Sequence, residues 1–240
     1  MADPFYSTDK LLTAFEADFS DAIGHAVTVN GSPAPTVVSS SPAPPSGAAA
    51  SGAFIAADSQ YLTYGSSSDF NTGTGDFTAE AFYYLVSRAS YRTIIGKGGG
   101  IGANTGWGIL TSGGADVFGE VNAQSVNIFG GAAANTLNAW HHAALVRASG
   151  VWSLYLDGSR IGTSSNQGSS DVGGTDPLNI GFTASGGQYW DGNISYARIS
   201  KGLARYTGAS FAVPTIPTDF QAPVQVPFTP WPQLAPILAQ

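Results

Sequence analysis

Short runs of alternating apolar and polar residues recur along most of the chain, as expected for β-strands that bury one face. The clearest runs are residues 140–147 and 151–156, which only Ala148-Ser149-Gly150 separates. This spacing predicts a hairpin with a short Gly-containing loop. The second run ends at Asp157-Gly158, a pair that tolerates the positive φ values of a type I′ turn, and residues 159–163 return as a third strand. The region therefore predicts a three-stranded antiparallel meander.

The two faces of these strands differ in polarity. In the middle strand of the meander, Trp152, Leu154 and Leu156 share one face that is fully apolar, while the other face is mixed. Such a sheet needs a second layer over its apolar side. The run of residues 76–86 is apolar on both faces, which predicts a strand near the middle of a sheet.

Other runs of strand-forming residues predict about a dozen strands in total: residues 54–57, 61–64, 91–95, 107–111, 117–121, 125–129, 178–182 and 188–200. Helix and strand compete over residues 9–19, and we favour a strand because the run is short and the strand-like residues 26–29 follow it. Residues 32–52 carry five prolines and predict an extended surface connection.

Composition agrees with an all-β fold. The 240 residues include 31 glycines and 14 prolines, high numbers for a helical protein, and 43% hydrophobic content is enough to bury a large core. We expect one domain over residues 1–219, a two-sheet antiparallel sandwich, followed by an extended C-terminal arm over residues 220–240.

The charge content restricts the class of partner. The net charge is −7, and the nine Lys and Arg residues are scattered singly, so a nucleic-acid surface is excluded. A surface of Ser, Thr, Asn, Gly and Ala in place of ions is typical of a protein packed in an assembly, which favours a homo-oligomer. The chain has no cysteine, its N-terminus is acidic, and no apolar run approaches the ~20 residues of a membrane span, so we expect neither membrane insertion nor export by the general secretory route.

Three segments resemble the laminin-G-like, concanavalin A-like jelly rolls. They are residues 68–78, residues 140–158 and residues 190–207, within a similarity that extends over about residues 9–218. The third segment, which runs from WDGNI to RISKGLARYT, is similar to a motif common in virion and tail proteins of bacteriophages. The resemblance implies two antiparallel sheets packed face to face, a fold that lectins, glucanases and structural modules share, so the fold alone does not choose a function.

Candidate catalytic groups are few. Glycan hydrolysis needs two carboxylates at one bond. The chain has only three glutamates, Glu16, Glu80 and Glu120, and lacks the clustered Glu-x-Asp-x-Glu pattern of the glucanases it resembles. No Gly-x-Ser-x-Gly motif appears, and His141 and His142 lie in a predicted core strand. We therefore expect no enzymatic activity and assign no catalytic residue.

Three aspartates are candidate calcium ligands, because many proteins with the fold that this chain resembles bind calcium through loop carboxylates. Asp58, Asp157 and Asp191 lie at strand ends beside small residues, but Asp before Gly is equally explained by the turn itself. We assign no metal ligand and no cofactor.

The last 21 residues differ from the rest, with five prolines and no charge. Pro-rich apolar segments form extended arms that need a surface to lie on. The residues we predict to bind a partner are Val226, Phe228, Trp231, Leu234, Ile237 and Leu238. The leading hypothesis is a non-enzymatic phage virion protein, displayed on the virion surface as a capsid decoration protein and anchored by this arm to the major capsid protein or a tail component.

The alternative hypothesis is a lectin-like tail or fibre adhesion module that binds host-surface glycans. A glycan site combines aromatic rings with a few polar groups. Tyr189 and Trp190, on a Gly-rich approach, are the residues that we nominate for such a site.

Deleting residues 220–240 is expected to leave a folded domain that no longer joins its assembly, because the arm carries the anchoring side chains. The double change Phe228→Ala with Trp231→Ala should act similarly, since truncating a buried interface aromatic often costs ~2 kcal/mol or more. Co-sedimentation with particles that lack the protein measures the attachment. Wild-type occupancy by the truncated chain contradicts anchoring through the arm.

Overall fold

A computed structural model describes residues 6–88, 90–98, 106–114, 116–121, 126–131, 134–183 and 187–216. Within these ranges the chain forms fifteen strands and three short 3₁₀ turns, at Tyr6–Thr8, Ala56–Asp58 and Ser68–Phe70, and no α-helix. The strands of one sheet are β1 (Asp9–Thr13), β3 (Thr36–Val38), β4 (Ser51–Phe54), β6 (Phe77–Leu85), β11 (Trp140–Ala148), β12 (Val151–Leu156), β13 (Ser159–Ser164) and β15 (Gly192–Lys201). Those of the other are β2 (Thr28–Asn30), β5 (Tyr61–Thr63), β7 (Arg92–Gly98), β8 (Gly106–Thr111), β9 (Val117–Val121), β10 (Val126–Gly130) and β14 (Leu178–Ile180).

The strands pair into two antiparallel sheets. The eight-stranded sheet has the order β13-β12-β11-β6-β15-β4-β3, with β1 also paired to β15, and the seven-stranded sheet has the order β10-β9-β8-β7-β14-β5-β2. The chain crosses between the sheets from β6 to β7 and from β14 to β15, as in a jelly-roll sandwich. The predicted fold class is confirmed, and β6 occupies the central position that its two apolar faces indicated.

The main core lies between the inner faces of the two sheets. Phe77 of β6 packs against Trp107 of β8 and Trp152 of β12, with ring centroids 5.4 Å apart in both pairs. Each of these rings is almost fully buried. Alternation along each strand therefore sends every second side chain into this layer and leaves the others on the two outer faces.

The meander forms as the sequence predicts. Asp157 and Gly158 have φ values of 48° and 78°, and Ser149 and Gly150 have values of 47° and 80°, so both turns place two consecutive residues in the left-handed region. The first loop contains two residues and not three, because Ala148 still pairs with Val151 in the ladder.

Three local predictions need correction. Residues 32–52 are not only a connection, because Thr36–Val38 forms the edge strand β3 against β4. The strand expected at residues 54–57 lies at Ser51–Phe54 and is followed by a 3₁₀ turn. The strand expected over residues 9–19 ends at Thr13; beyond it Phe15 turns with a φ of 52° and packs edge-to-face on Phe19 in the core.

The outer face of the eight-stranded sheet carries a buried ionic network. The Glu80 carboxylate accepts hydrogen bonds from Arg198 Nε at 2.7 Å and from the Tyr206 hydroxyl at 2.7 Å, and its Oε2 lies 2.9 Å from His142 Nε2. Glu80 is fully buried. Burial alone raises the pKa of Glu80, but the Arg198 charge and the contact with His142 outweigh it, so this pKa is lowered. The carboxylate is therefore ionised and ties β6 to β15 and to the segment that contains Tyr206.

Replacing Glu80 with Gln is expected to destabilise the fold by roughly 3–5 kcal/mol, because the buried Arg198 guanidinium loses its anionic partner. The double change Glu80→Leu with Arg198→Met should lose much less, since it removes both charges together. Urea unfolding of the three proteins measures the difference. A Glu80→Gln protein as stable as the wild type contradicts a structural role for this ion pair.

Candidate functional site

Three aromatic side chains meet on the outer face of the seven-stranded sheet. The Phe182 ring stacks on Tyr189 with centroids 4.7 Å apart and an interplanar angle of 22°, and Tyr61 lies 4.5 Å from Phe182 and 6.0 Å from Tyr189. Each of the three side chains is half-buried. We call Tyr61, Phe182 and Tyr189 the aromatic cluster.

Strand geometry places two of these rings on the outer face. Tyr61 neighbours Leu62 in β5, and because Leu62 is buried in the core, Tyr61 points to the opposite side of the sheet. Phe182 follows β14 after Gly181, which has a φ of 83° and donates its N–H to the Ile94 carbonyl at 2.9 Å. This turn at Gly181 brings the Phe182 ring back over β5.

The backbone around Tyr189 is held by two hydrogen bonds. Arg92 Nη1 donates to the Tyr189 carbonyl at 2.8 Å, and the Trp190 N–H donates to the Gly181 carbonyl at 2.8 Å. Arg92 is further held by Asp191, whose Oδ2 lies 3.7 Å from Nη2. The third ring of the cluster therefore projects from a backbone that is fixed to the sheet.

Polar side chains lie beside the cluster on the same face. Thr63 is two residues after Tyr61, and its hydroxyl donates to Asn179 Oδ1 at 2.9 Å. Asn30 Nδ2 lies 3.5 Å from the same hydroxyl. Thr63 and Asn30 are both half-buried, so hydrogen-bonding groups stand next to partly exposed aromatic faces. This combination suits a ligand with one apolar face and a rim of hydroxyl groups.

The two nominated glycan-binding residues have different places in the structure. Tyr189 belongs to the aromatic cluster, whereas Trp190 is fully buried in the core and meets Tyr83 edge-to-face at 5.6 Å. The burial of Trp190 removes it from the surface that a ligand can reach, so Tyr189 is the nominated residue that stays partly exposed, and its role in glycan binding stays a prediction. Sequence reasoning did not nominate Tyr61 or Phe182. Alternation with the core residue Leu62 was an available signal for Tyr61, whereas Phe182 reaches the outer face only through the turn at Gly181, since alternation from Ile180 would direct it inward.

A family model described as the concanavalin A-like lectin/glucanases superfamily matches residues 56–204, more than half of the chain. The chain belongs to this superfamily. No curated protein sequence matches it.

Solved structures with the same fold include two toxin binding domains and one domain of an enzyme. The binding domain of Paraclostridial Mosquitocidal Protein 1 has a TM-score of 0.63 at 11% identity over 83% of this chain and 50% of that one. Domain 4 of AbnA, a GH43 extracellular arabinanase from Geobacillus stearothermophilus in complex with arabinotriose, has a TM-score of 0.61 at 12% identity over 82% and 93% of the two chains. The binding domain of Botulinum Neurotoxin DC in complex with SialylT has a TM-score of 0.59 at 16% identity over 83% and 49%. This chain thus spans about half the length of the two toxin domains, and at these identities the likeness shows the fold.

Because the superfamily is named for glucanases as well as lectins, the positions of the glutamates decide whether two of them could act as a glycosidase pair. Glu80 and Glu120 alternate with core residues in β6 and β9, and therefore lie on the opposite outer faces of the sandwich. Two packed sheets are ~10 Å apart before outward-pointing side chains are added, whereas a glycosidase pair stands ~5–9.5 Å apart. These two glutamates therefore do not form such a pair. Glu16 is exposed and accepts a hydrogen bond from the Tyr196 hydroxyl at 3.1 Å.

Glu120 is unusual because it is buried without a partner. Its side chain is 3% exposed, and among the described residues neither carboxylate oxygen has a hydrogen-bond partner. Burial raises the pKa of Glu120 to about 7. The group is therefore protonated in mildly acidic solution and carries a poorly solvated charge above neutral pH.

Both histidines of β11 have structural contacts. His141 Nδ1 lies 2.8 Å from Asp157 Oδ2, and Asp157 Oδ1 accepts the His142 N–H at 2.8 Å. Although burial lowers the pKa of His141, the hydrogen bond and charge of Asp157 raise it overall. Asp157 thus supports the turn and β11, which accounts for its conformation without a metal ion.

The described residues contain neither a cluster of metal ligands nor a helix that could span a membrane. Across the described ranges, no three His, Asp or Glu side chains are grouped as metal ligands. No helix in this part of the chain has the length and apolar character that crossing a membrane requires.

The residues predicted to bind a virion partner, Val226, Phe228, Trp231, Leu234, Ile237 and Leu238, lie outside the described residues. Anchoring through residues 220–240 therefore stays a prediction.

Replacing Glu120 with Gln is expected to remove a pH-dependent loss of stability. Between the ordinary pKa of 4.5 and the raised value of about 7, the folded state binds more protons than the unfolded state, so stability falls as pH rises through this window. The shift corresponds to about 3 kcal/mol lost by the wild type above pH 7. Urea unfolding at several pH values between 4.5 and 8 should therefore show the variant gaining stability relative to the wild type as pH rises.

The exposed Glu16 provides the matched control, since Glu16→Gln should leave the pH profile of the wild type in place. If the free energy of unfolding depends on pH in the same way for the wild type and for Glu120→Gln, the raised pKa of a desolvated Glu120 carboxyl is contradicted.

Proposed function

We propose that the protein is a lectin-like carbohydrate-binding module whose ligand rests on the aromatic cluster. The observation that carries the proposal is the juxtaposition of three half-exposed rings with Thr63 and Asn30 on one sheet face. Aromatic faces pack against the C–H side of a sugar ring, and adjacent polar groups bind its hydroxyls. The superfamily, which is named for lectins as well as glucanases, agrees with this proposal.

Similar structures support the same class of ligand. One of them is described as a complex with arabinotriose and another as a complex with SialylT. These ligands guide the choice of probes for this chain. We also propose that the module binds without cleaving, because Glu80, which is committed to an internal ion pair, and Glu120 lie on opposite outer faces of the sandwich and do not form a catalytic pair.

A structural role in a virion is the second candidate. Its support is the resemblance of residues 190–207 to virion and tail proteins and the uncharged Pro-rich composition of residues 220–240. A passive decoration protein has no need of partly exposed stacked rings, so we prefer glycan binding. An adhesion module on a virion surface would combine the two roles. Such a module would be a homo-oligomer anchored to a capsid or tail protein, and it would bind host-surface glycans.

Replacing Tyr61 or Tyr189 with Ala is expected to weaken glycan binding by about tenfold or more, since losing one ring contact removes ~1.4 kcal/mol or more. Binding is measured by isothermal titration calorimetry against arabinotriose, neutral oligosaccharides of other linkages, and sialyllactose. Tyr61→Phe keeps the ring and should keep the affinity.

The matched control is Tyr84→Ala, because Tyr84 is also half-buried and packs on one aromatic ring, that of Trp140 at 5.5 Å, but belongs to the eight-stranded sheet. It should bind like the wild type. Binding that survives loss of both cluster tyrosines places the glycan elsewhere, and absence of binding to every probe at millimolar concentration contradicts the proposed function.

A further inference from the structure

A pocket lined by small, uncharged residues lies at the far end of the strand pair that carries the aromatic cluster. Its volume is about 300 Å³, which is within the range of small-ligand sites. It opens where the chain leaving β5 meets the chain entering β14. We call it the serine pocket, and its lining residues are Ser66, Ser67, Ser68, Asn71, Gly174 and Thr175.

The serine pocket and the aromatic cluster share one rigid support. Leu178 and Tyr64 continue the β5–β14 ladder, with Leu178 N–H donating to the Gly65 carbonyl at 3.1 Å and Tyr64 N–H donating to the Leu178 carbonyl at 2.9 Å. The Ser66 hydroxyl then bonds the Thr175 carbonyl at 2.5 Å across the pocket. Ser66 is five positions beyond Tyr61, so at ~3.3 Å per residue the two are at most ~17 Å apart.

The path between them along the β5 chain passes Thr63 and Gly65. Thr63 lies on the outer face halfway along it. Gly65 comes next, with a φ of 69° and no atom within 4 Å of the place where a Cβ would stand. A ligand that leaves the aromatic cluster along β5 therefore meets a hydroxyl, then an open backbone, then the serine pocket.

The pocket offers neutral hydrogen-bonding groups. None of its lining residues is charged, and Ser68, Asn71 and Thr175 are exposed. The nearest ammonium groups are engaged with backbone carbonyls, because Lys97 Nζ donates to Gly173 and to Gly174 at 2.9 Å, and Lys201 Nζ donates to Ser68 at 2.7 Å. Hydroxyls and an amide in a small cavity suit the hydroxyl groups of a neutral sugar better than a carboxylate or a phosphate.

We propose that the serine pocket is a second sugar subsite, and that the ligand is a neutral oligosaccharide chain that runs along β5 from the aromatic cluster to this pocket. The inference rests on the proposed function and adds to it the length and charge of the ligand. One sugar ring does not span the two features, so a chain that reaches both gains contacts that a short fragment lacks.

The test compares trisaccharides and hexasaccharides of α-1,5-arabinan, cellulose and laminarin by titration calorimetry, with sialyllactose as an acidic probe. The wild type should bind the hexasaccharide of at least one series about tenfold more tightly than its trisaccharide. The double change Ser68→Ala with Thr175→Val, and separately Thr175→Trp, should lower hexasaccharide affinity to the trisaccharide level and leave trisaccharide affinity unchanged.

Thr163→Val with Ser165→Ala is the matched control, because both positions are exposed and lie at or just beyond β13 in the other sheet. It should retain the full hexasaccharide affinity. Tyr61→Ala should weaken both chain lengths together, which separates the cluster from the pocket.

Equal affinity for both chain lengths, or a hexasaccharide advantage that survives both pocket variants, overturns the second subsite while leaving glycan binding at the cluster intact. Sialyllactose bound more tightly than every neutral series overturns the neutral class of ligand. Absence of binding to any oligosaccharide overturns the proposed function, and the subsite with it.

Discussion

The structure depends on β6, a strand that is buried on both of its faces. Its inner face supplies Phe77 and Tyr83 to the layer between the sheets, and its outer face supplies Glu80 to the ionic network with Arg198 and Tyr206. If the outer face of β6 lacked these partners, the Glu80 carboxylate would be a buried charge without a counter-charge. Such a charge is far more costly than an exposed one. The network therefore lets the chain around Tyr206 cover the eight-stranded sheet. Tyr84 and Trp140 stay half-buried on that sheet as one aromatic pair, whereas the other sheet brings three half-buried rings together, and the proposed glycan site depends on that cluster.

Features decided by neighbouring residues were predictable, and those decided across the chain were not. The meander and its turn at Asp157-Gly158 depend on residues a few positions apart, and the structure has them where the alternation predicts. The strand β3 forms in a Pro-rich stretch because β4 offers it a ladder, which no local pattern of residues 32–52 reveals. Likewise Tyr61 and Phe182 are adjacent only because β5 pairs with β14. For Tyr189 and Trp190 the sequence indicated the region but not the face, and the face decides which ring a ligand can reach.

The positions of Glu80 and Glu120 favour binding over catalysis as the proposed role of this fold. Hydrolysis requires carboxylates that converge on one bond, whereas the sandwich directs Glu80 and Glu120 away from each other and buries both. Glu80 is paired with the Arg198 guanidinium, and Glu120 is neutral below about pH 7 because burial raises its pKa. In the proposed glycan-binding role, recognition is carried by uncharged groups. Tyrosine rings, hydroxyls and amides bind hydroxylated ligands with many weak contacts, so affinity increases with the number of subsites that one ligand reaches.

The position of β5 in the sheet suits the proposed oligosaccharide, which would lie along the outer face of this strand. The strand is paired on both sides, to β14 and to the edge strand β2, so the directions of Tyr61 and Thr63 are set by ladders that form during folding. A site that is ordered before binding loses little conformational entropy when its ligand arrives. Residues of a strand are spaced at a constant interval, as the sugar units of an oligosaccharide are. The distance between the first subsite and a second one further along β5 is therefore fixed. The serine pocket begins where that regular spacing ends, at Gly65, and the hydrogen bond from Ser66 to Thr175 continues the link between the β5 and β14 chains up to its rim.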